Sequence, residues 1–345
     1  MAQGRRPTIL SLTPMHDAGM RLLREAGDLR LASATDPATL RREIVGADAL
    51  IIRTGGFVDG PLLDAGGPGL KVVGRHGVGY DAIDVAAATE RGVQVVYTPG
   101  ANTQSVAEHV FMMMIGLSKH FTRMQRAIDT GDYHARTRHT GRDLSGRTLG
   151  IIGFGRIGRR VGIMARAGFN MTVLYNDIVA APAEVEETAG ARRVSFEEVL
   201  RASQYVTLHV PLDASTRGMI DRRALALMRS DAILINAARG PVTVERDVAA
   251  ALDAGRLLGY GGDVFEEEPP PPGHPLIGRP DVMLTPHSAA QTVEGLTNMA
   301  TQVAQDVLAV LRGDLPRNPV NDPIVVEAAR RRRGLPPLYE PPTGI

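Results

Sequence analysis

The chain has 345 residues, 43% of them apolar and 22% charged, the make-up of a water-soluble globular protein large enough for two hydrophobic cores. Its 39 lysines and arginines nearly cancel 38 aspartates and glutamates, so no overall field draws in nucleic acid or a membrane surface, and any attraction of anions must be local. Cysteine is absent, which excludes disulfides, thiolate metal sites and a cysteine nucleophile; with no signal-peptide pattern and no apolar run of roughly 18 residues, the expected location is the cytoplasm.

From the N-terminus, short apolar runs alternate with helix-period segments. The runs are "TILSL" (8–12), "LRLAS" (29–33), "ALIIR" (49–53), "LKVVGR" (70–75) and "VQVVY" (93–97). Between them, residues 17–26 and 37–46 carry helical patterns, the second with Asp36 as N-cap. Such alternation predicts a parallel sheet covered on both faces. A long helix is then predicted from "TQSVAEHVFMMMIGL", with Ser105 and Glu108 at capping-box spacing and an end near Gly131.

A second alternating series follows, with "TLGII" (148–152), "MTVLY" (171–175), "YVTLHV" (205–210), "AILIN" (232–236), "LLGYGG" (257–262) and "VMLTP" (282–286). The fold class is therefore α/β with two doubly wound parallel sheets. The helical stretch 292–311 comes after the second sheet is complete and is expected to return to the first domain. This divides the chain into a discontinuous domain, 1–102 with 290–322, an inserted domain, 103–289, and a tail, 323–345. The tail holds Arg330 to Arg333 and reads as a solvated segment.

Within the second series, Gly153, Gly155 and Gly158 stand in G-x-G-x-x-G spacing directly after a strand and at the start of a helix, with Arg156 and Ile157 in the turn. The first glycine permits the tight turn, the second lets a pyrophosphate approach the backbone and the third lets helix pack on strand. The helix N-terminus then receives the phosphates. Asp177, at the end of the next strand, is placed to accept hydrogen bonds from the ribose hydroxyls, and no arginine follows within several residues to receive a 2′-phosphate. NAD is the expected cofactor.

Three polar side chains sit at or just beyond strand ends, where ligands of open parallel sheets bind: Arg239 after "AILINAA", Glu268 after "GGDVFEE" and His287 after "VMLTP". Singly, each has a plainer reading, as a surface ion pair, a solvated acidic turn and a loop histidine. Together they form the parts needed to reduce a 2-oxo acid: a guanidinium fork for the carboxylate, an imidazole for the proton, and a carboxylate to support the imidazole.

The ordered run "GFGRIG", "HVPLDAST", "NAARG", "GGDVFEEEP" and "LTPH" resembles the D-isomer-specific 2-hydroxyacid dehydrogenases, the group containing phosphoglycerate dehydrogenase and hydroxypyruvate/glyoxylate reductases. The resemblance covers residues from about 5 to 320 and implies a Rossmann NAD domain inserted into a flavodoxin-like substrate domain, catalytic roles for Arg239, Glu268 and His287, and a homodimer. It implies that Asp263 contacts the nicotinamide carboxamide and that His209, Pro211, Thr216 and Ala237 lie near the cofactor. It also makes "GRHGVGYDAID" a substrate loop, with Val78 and Gly79 offering backbone N–H groups and Arg53 and Arg75 as candidates to read the rest of a small 2-oxo or 2-hydroxy acid. Two positions depart from the family pattern, Gly262 where leucine is common and Asn170 where glycine is usual.

A second reading is a non-catalytic NAD(H)-sensing scaffold, as in corepressor-type relatives. A formate dehydrogenase is disfavoured because that resemblance expects glutamine where Glu268 stands. No G-x-S-x-G or H-E-x-x-H motif supports a hydrolase or a metal site, and His134 and His139 read as surface residues.

Overall fold

The structure is a computed structural model, described here for residues 5–339, and it divides into two units. The first unit begins with β1 (Thr8–Ser11), α1 (Asp17–Ala26), β2 (Asp28–Leu31), α2 (Pro37–Glu43), β3 (Ala49–Ile52), α3 (Gly60–Gly66), β4 (Val72–Arg75), α4 (Val85–Glu90) and β5 (Gln94–Val96). Its five strands are parallel in the order β2-β1-β3-β4-β5, the flavodoxin-like arrangement. Asp36 caps α2 through the N–H groups of Ala38 and Thr39, as its position ahead of Pro37 predicts.

The second unit, 103–291, comprises α5 (Thr103–Ser118), α6 (Phe121–Asp129), α7 (Ala135–Arg138), β6 (Thr148–Ile152), α8 (Arg156–Phe169), β7 (Thr172–Asn176), α9 (Ala183–Ala189), β8 (Ala191–Arg193), α10 (Phe196–Ala202) and β9 (Tyr205–Leu208). It continues with α11 (Arg222–Leu227), β10 (Ile233–Asn236), a 3-10 turn (Gly240–Val242), α12 (Glu245–Asp253), β11 (Gly259–Gly262) and β12 (Val282–Leu284). Seven parallel strands run β12-β11-β10-β9-β6-β7-β8, the 3-2-1-4-5-6 order of dinucleotide-binding sheets with one further strand. Strands β9 and β10 are buried along their whole length, as a sheet covered on both faces requires.

Two expectations fail here for local reasons. The long helix breaks after Ser118, whose carbonyl accepts the N–H of Arg142 (3.0 Å), spending the acceptor that the next helical turn needs; His120 then takes a left-handed φ of 54°. Ser105 is not a cap: α5 starts at Thr103, and Ser105 lies buried inside it. Strand β8 was also unforeseen. It is three residues of "ARR" at the sheet edge, with no apolar run to signal it.

From Thr292 the chain continues in the first unit. Thr292 caps α13 (Val293–Arg312), which packs across β4 of the first unit, where a Cβ at Gly74 would meet Val307 at 2.6 Å. The tail is not a solvated segment. Asp322 caps α14 (Pro323–Arg332), and Arg330 is 1% exposed, its Nη1 donating to Gly92 O (2.9 Å) and its Nε to Pro336 O (2.7 Å). The sequence could not show this, because the matching acceptors are backbone carbonyls. Residues 340–345 of the expected tail lie outside the described residues.

Replacing Arg330 with alanine leaves the Gly92 carbonyl buried without its donor. The expected cost is about 1–3 kcal/mol of first-unit stability, read as a lowered midpoint in thermal unfolding; an unchanged midpoint would assign α14 no structural role.

Candidate active site

The glycine turn joins β6 to α8. Gly153 adopts φ 92°, and a Cβ there would meet the His209 carbonyl oxygen at 2.7 Å; a Cβ on Gly158 would meet Gly153 O at 2.2 Å. At Gly155 an added Cβ meets nothing within 4 Å, so two glycines serve close packing and the middle one opens to solvent. That is the arrangement a diphosphate needs at the N-terminus of the 14-residue α8, and the residues present fit a dinucleotide. Arg156 is exposed on the first turn of α8 and Ile157 packs inward on the helix side of the core.

Asp177 lies just past the end of β7. Its Oδ2 accepts Phe154 N–H (2.6 Å) in the glycine turn and its Oδ1 accepts Val179 N–H (3.0 Å), so the carboxylate also holds the turn in place. His209 lies just past the end of β9, on the other side of β6, with Nε2 bonded to Thr207 Oγ1 (3.0 Å) and Nδ1 buried without a partner. Burial lowers its pKa to about 3, so the ring is neutral at physiological pH. Beyond it, the Thr216 hydroxyl donates to Pro211 O (2.6 Å) and accepts Asp213 N–H (2.9 Å), tying off the loop that presents Pro211.

Glu268 and His287 meet in the second unit, and the charge of Arg239 reaches the same carboxylate. His287 Nδ1 meets Glu268 Oε2 at 2.9 Å; an ionised carboxylate only accepts, so Nδ1 carries a hydrogen and Nε2 is the ring nitrogen left to act on a ligand. Burial pushes the Glu268 carboxyl up, but the hydrogen bond and charge of His287, the Phe265 N–H (3.1 Å) and the charge of Arg239 outweigh it, and its pKa is held below the usual value. Arg239 stands just before the 3-10 turn. Its Nη1 donates to Ala238 O (2.7 Å), and its own carbonyl accepts from Asn236 Nδ2 (2.9 Å). Ala237 links that strand end to Arg239. A cavity of about 890 Å³ opens beside the His287–Glu268 pair, lined among others by Arg126, Ala135, Arg138, Leu276, Leu284 and Pro286.

The loop bearing His287 is fixed from below by a carboxylate the sequence assigned elsewhere. Asp263 is 1% exposed; its Oδ1 accepts from Thr285 Oγ1 (2.6 Å) and Ser288 N (2.7 Å), its Oδ2 from Ala289 N (2.9 Å), and its carbonyl from His287 N (2.7 Å). Its carboxylate is thus spent on its own chain. Thr285 gives its hydrogen to Asp263, so the 2.9 Å contact with His109 Nε2 is donated by His109. Neither His109 nor Thr285 was picked out from sequence. Thr285 adjoins His287 in "LTPH", but nothing in the pattern of α5 marked its histidine.

In the first unit, Arg75 turns into its own loop, donating from Nε to Gly79 O (2.6 Å) and from Nη1 to Arg53 O, while Arg53 Nη1 donates to Pro14 O (3.1 Å). Val78 and Gly79 are half-buried on that loop, and Gly77 is pinned to Thr98 by N–H bonds in both directions (3.0 and 3.1 Å). Arg75 therefore shapes the loop. His76, beside it, is 4% exposed with Nε2 unpartnered, and burial together with the Arg53 and Arg75 charges lowers its pKa to about 4.

Of the family departures, Asn170 supplies the left-handed C-cap of α8 (φ 49°), a conformation asparagine tolerates. At Gly262, a Cβ would lie 2.8 Å from the Tyr260 ring, which occupies the space a larger side chain would take.

Residues 111–289 match the family model described as D-isomer specific 2-hydroxyacid dehydrogenase, NAD binding domain. Over 316 residues, 91% of this chain and 59% of the relative, the sequence is 39% identical to a D-3-phosphoglycerate dehydrogenase of Methanocaldococcus jannaschii. It is 34% identical over 326 residues to a glyoxylate reductase of Korarchaeum cryptofilum, covering 93% of this chain and 97% of the relative. The crystal structure of a glyoxylate reductase from Paecilomyes thermophila superposes with a TM-score of 0.84 at 30% identity, covering 91% of this chain and 98% of that one. The chain spans about half to three fifths of the phosphoglycerate dehydrogenases it matches.

A histidine whose pKa falls on folding excludes a proton that the unfolded chain binds. Stability from this source is whole above about pH 6.5 and is lost as pH falls toward 4, up to roughly 3 kcal/mol across that interval for His76. In His76→Gln the pH dependence of chemical denaturation between those values should flatten; a slope equal to that of the parent would remove His76 as its source.

Proposed function

The chain belongs to the D-isomer specific 2-hydroxyacid dehydrogenase family, and from that premise we propose that it interconverts a small 2-oxo acid and its D-2-hydroxy acid with NAD as cofactor. The observation that carries this reading is the His287–Glu268 pair at 2.9 Å on two strand-end loops, with the Arg239 charge acting on the same carboxylate.

The glycine turn at 153–158 would hold the diphosphate, with Asp177 at the ribose and His209, Pro211 and Thr216 lining the approach. When bound, the nicotinamide supplies or takes up the hydride at C2 of the substrate. In reduction, His287 in its protonated form delivers a proton from Nε2 to the C2 oxygen, so that one hydride and one proton convert the carbonyl to a hydroxyl. Glu268, kept ionised, orients the ring through Nδ1 and stabilises its positive form. Arg239 clamps the substrate carboxylate and offsets charge building on the oxygen. In oxidation the neutral ring takes the proton back. In the first unit, the backbone N–H groups of Val78 and Gly79 and the Arg53 side chain are proposed as substrate-reading groups.

The substrate class proposed is hydroxypyruvate, glyoxylate or phosphohydroxypyruvate, in keeping with relatives named as glyoxylate reductases and phosphoglycerate dehydrogenases. The scaffold reading finds no support among these relatives. A cytoplasmic homodimer is also proposed. Phe121 and Ile128 on α6 and Tyr133 beyond it are exposed apolar side chains that a second copy would cover. Among the described residues no helix is long and apolar enough to cross a membrane.

His287→Ala should lower turnover by about 10²–10⁴-fold while NADH binding, followed by its fluorescence, persists. Full turnover in that variant would remove His287 from the reaction. A panel of the three acids with NADH should show NADH consumption with at least one; NADH binding without consumption of any would return the protein to the scaffold reading.

A further inference from the structure

The edge strand β8 places a positive charge where the sequence shows none. Its register with β7 sets Arg193 opposite Tyr175, two residues before Asp177. From there the guanidinium reaches over the end of β7, donating from Nη2 to Asp177 O (2.7 Å) and Ile178 O (3.3 Å). The side chain remains exposed, and no ion pair joins it to the Asp177 carboxylate among the described residues. Its neighbour Arg192 is engaged by Glu198 at 3.0 Å. So the strand end carries an acceptor and a forked donor side by side, neither neutralising the other through direct contact.

In a glycine-fingerprint sheet this strand end is where the adenosine ribose lies. A carboxylate there takes hydrogen bonds from an unmodified 2′-hydroxyl and repels a 2′-phosphate, whereas arginine binds phosphate through charge-assisted hydrogen bonds. We propose that Arg193 is a specificity-determining residue that gives the cofactor site a latent 2′-phosphate subsite. Asp177 sets the preference for NAD, and Arg193 limits how strongly NADP is refused. The inference rests on the NAD reading above, and it deepens that reading at the adenosine end only. Residues sixteen apart in sequence meet there because β8 pairs with β7, which is why inspection of the residues just after Asp177 finds no phosphate partner.

The test is equilibrium binding of NADH and NADPH to the enzyme without substrate, followed by calorimetry. In the parent, NADH should bind more tightly. Arg193→Ala should lower the NADPH-to-NADH affinity ratio by about tenfold, the scale of one lost charge-assisted hydrogen bond. Asp177→Ser should raise that ratio, and adding Arg193→Ala to it should cancel most of the gain, while Arg193→Lys keeps part of it. Because Arg193 is exposed, unaltered thermal midpoints are expected to confirm folding of its variants. If Arg193→Ala leaves the ratio unchanged in both backgrounds, the inference is overturned while the cofactor reading stands. If the parent binds neither nucleotide, the cofactor reading falls and this inference with it.

Discussion

The site depends on one buried carboxylate. Asp263 sits at the end of β11 and collects the Thr285 hydroxyl and the backbone N–H groups of Ser288 and Ala289, which together bracket His287. Hydrogen bonds to a charged acceptor contribute about 1.5–3 kcal/mol each, enough to offset the cost, about 1–2 kcal/mol, of holding the non-glycine residue His287 at a φ of 50°. The left-handed backbone points the imidazole back toward Glu268. A side chain buried to 1% exposure thus decides where an exposed one can act.

The segments carrying Arg239 and Glu268 are fitted to each other in the same way. A Cβ at Gly240 would come within 1.8 Å of the Phe265 carbonyl, so only glycine allows the two backbones to pass. Glu266 accepts the Glu245 N–H (2.7 Å) at the start of α12, and the Glu245 side chain meets His274 Nε2 at 2.8 Å, both side chains 6% exposed. Burial pushes the Glu245 carboxyl up, with His274 offsetting part of the rise. Removing one member of such a pair strands the other without a counter-charge in a dry interior. The guanidinium and the supporting carboxylate are therefore set on a shared foundation.

What the sequence disclosed was whatever period and spacing encode. Apolar runs located eleven of the twelve strands among the described residues, and the glycine spacing located the turn between β6 and α8. The order of motifs picked Arg239, Glu268 and His287, which follow β10, β11 and β12, three neighbouring strands at one end of the second sheet. What it hid was set by partners distant in the chain. Strand β8 is only three residues, Ala191–Arg193, with no apolar run; the break after Ser118 depends on the N–H of Arg142, and the burial of Arg330 on the carbonyl of Gly92. The sequence offered Asp263 as a contact for the nicotinamide carboxamide; its saturation by Thr285, Ser288 and Ala289 is visible only once β11 and β12 lie side by side. His109 joins that group through the Thr285 hydroxyl and lies 3.6 Å from the Asp263 carboxylate itself.

The return of α13 to β4 bears on how the protein is made. A ribosome finishes the first five strands nearly two hundred residues before it reaches Val293–Arg312, an interval of about 10–40 s at ordinary elongation rates. Throughout that wait Ile9, Ile51 and Val72, which α13 residues such as Val303 and Val307 later cover, face outward on an unfinished sheet. The inserted unit, contiguous in the chain, can close first. Nascent copies thus pass through a stage with one completed half and one sticky half, and chaperones have a defined window in which to act.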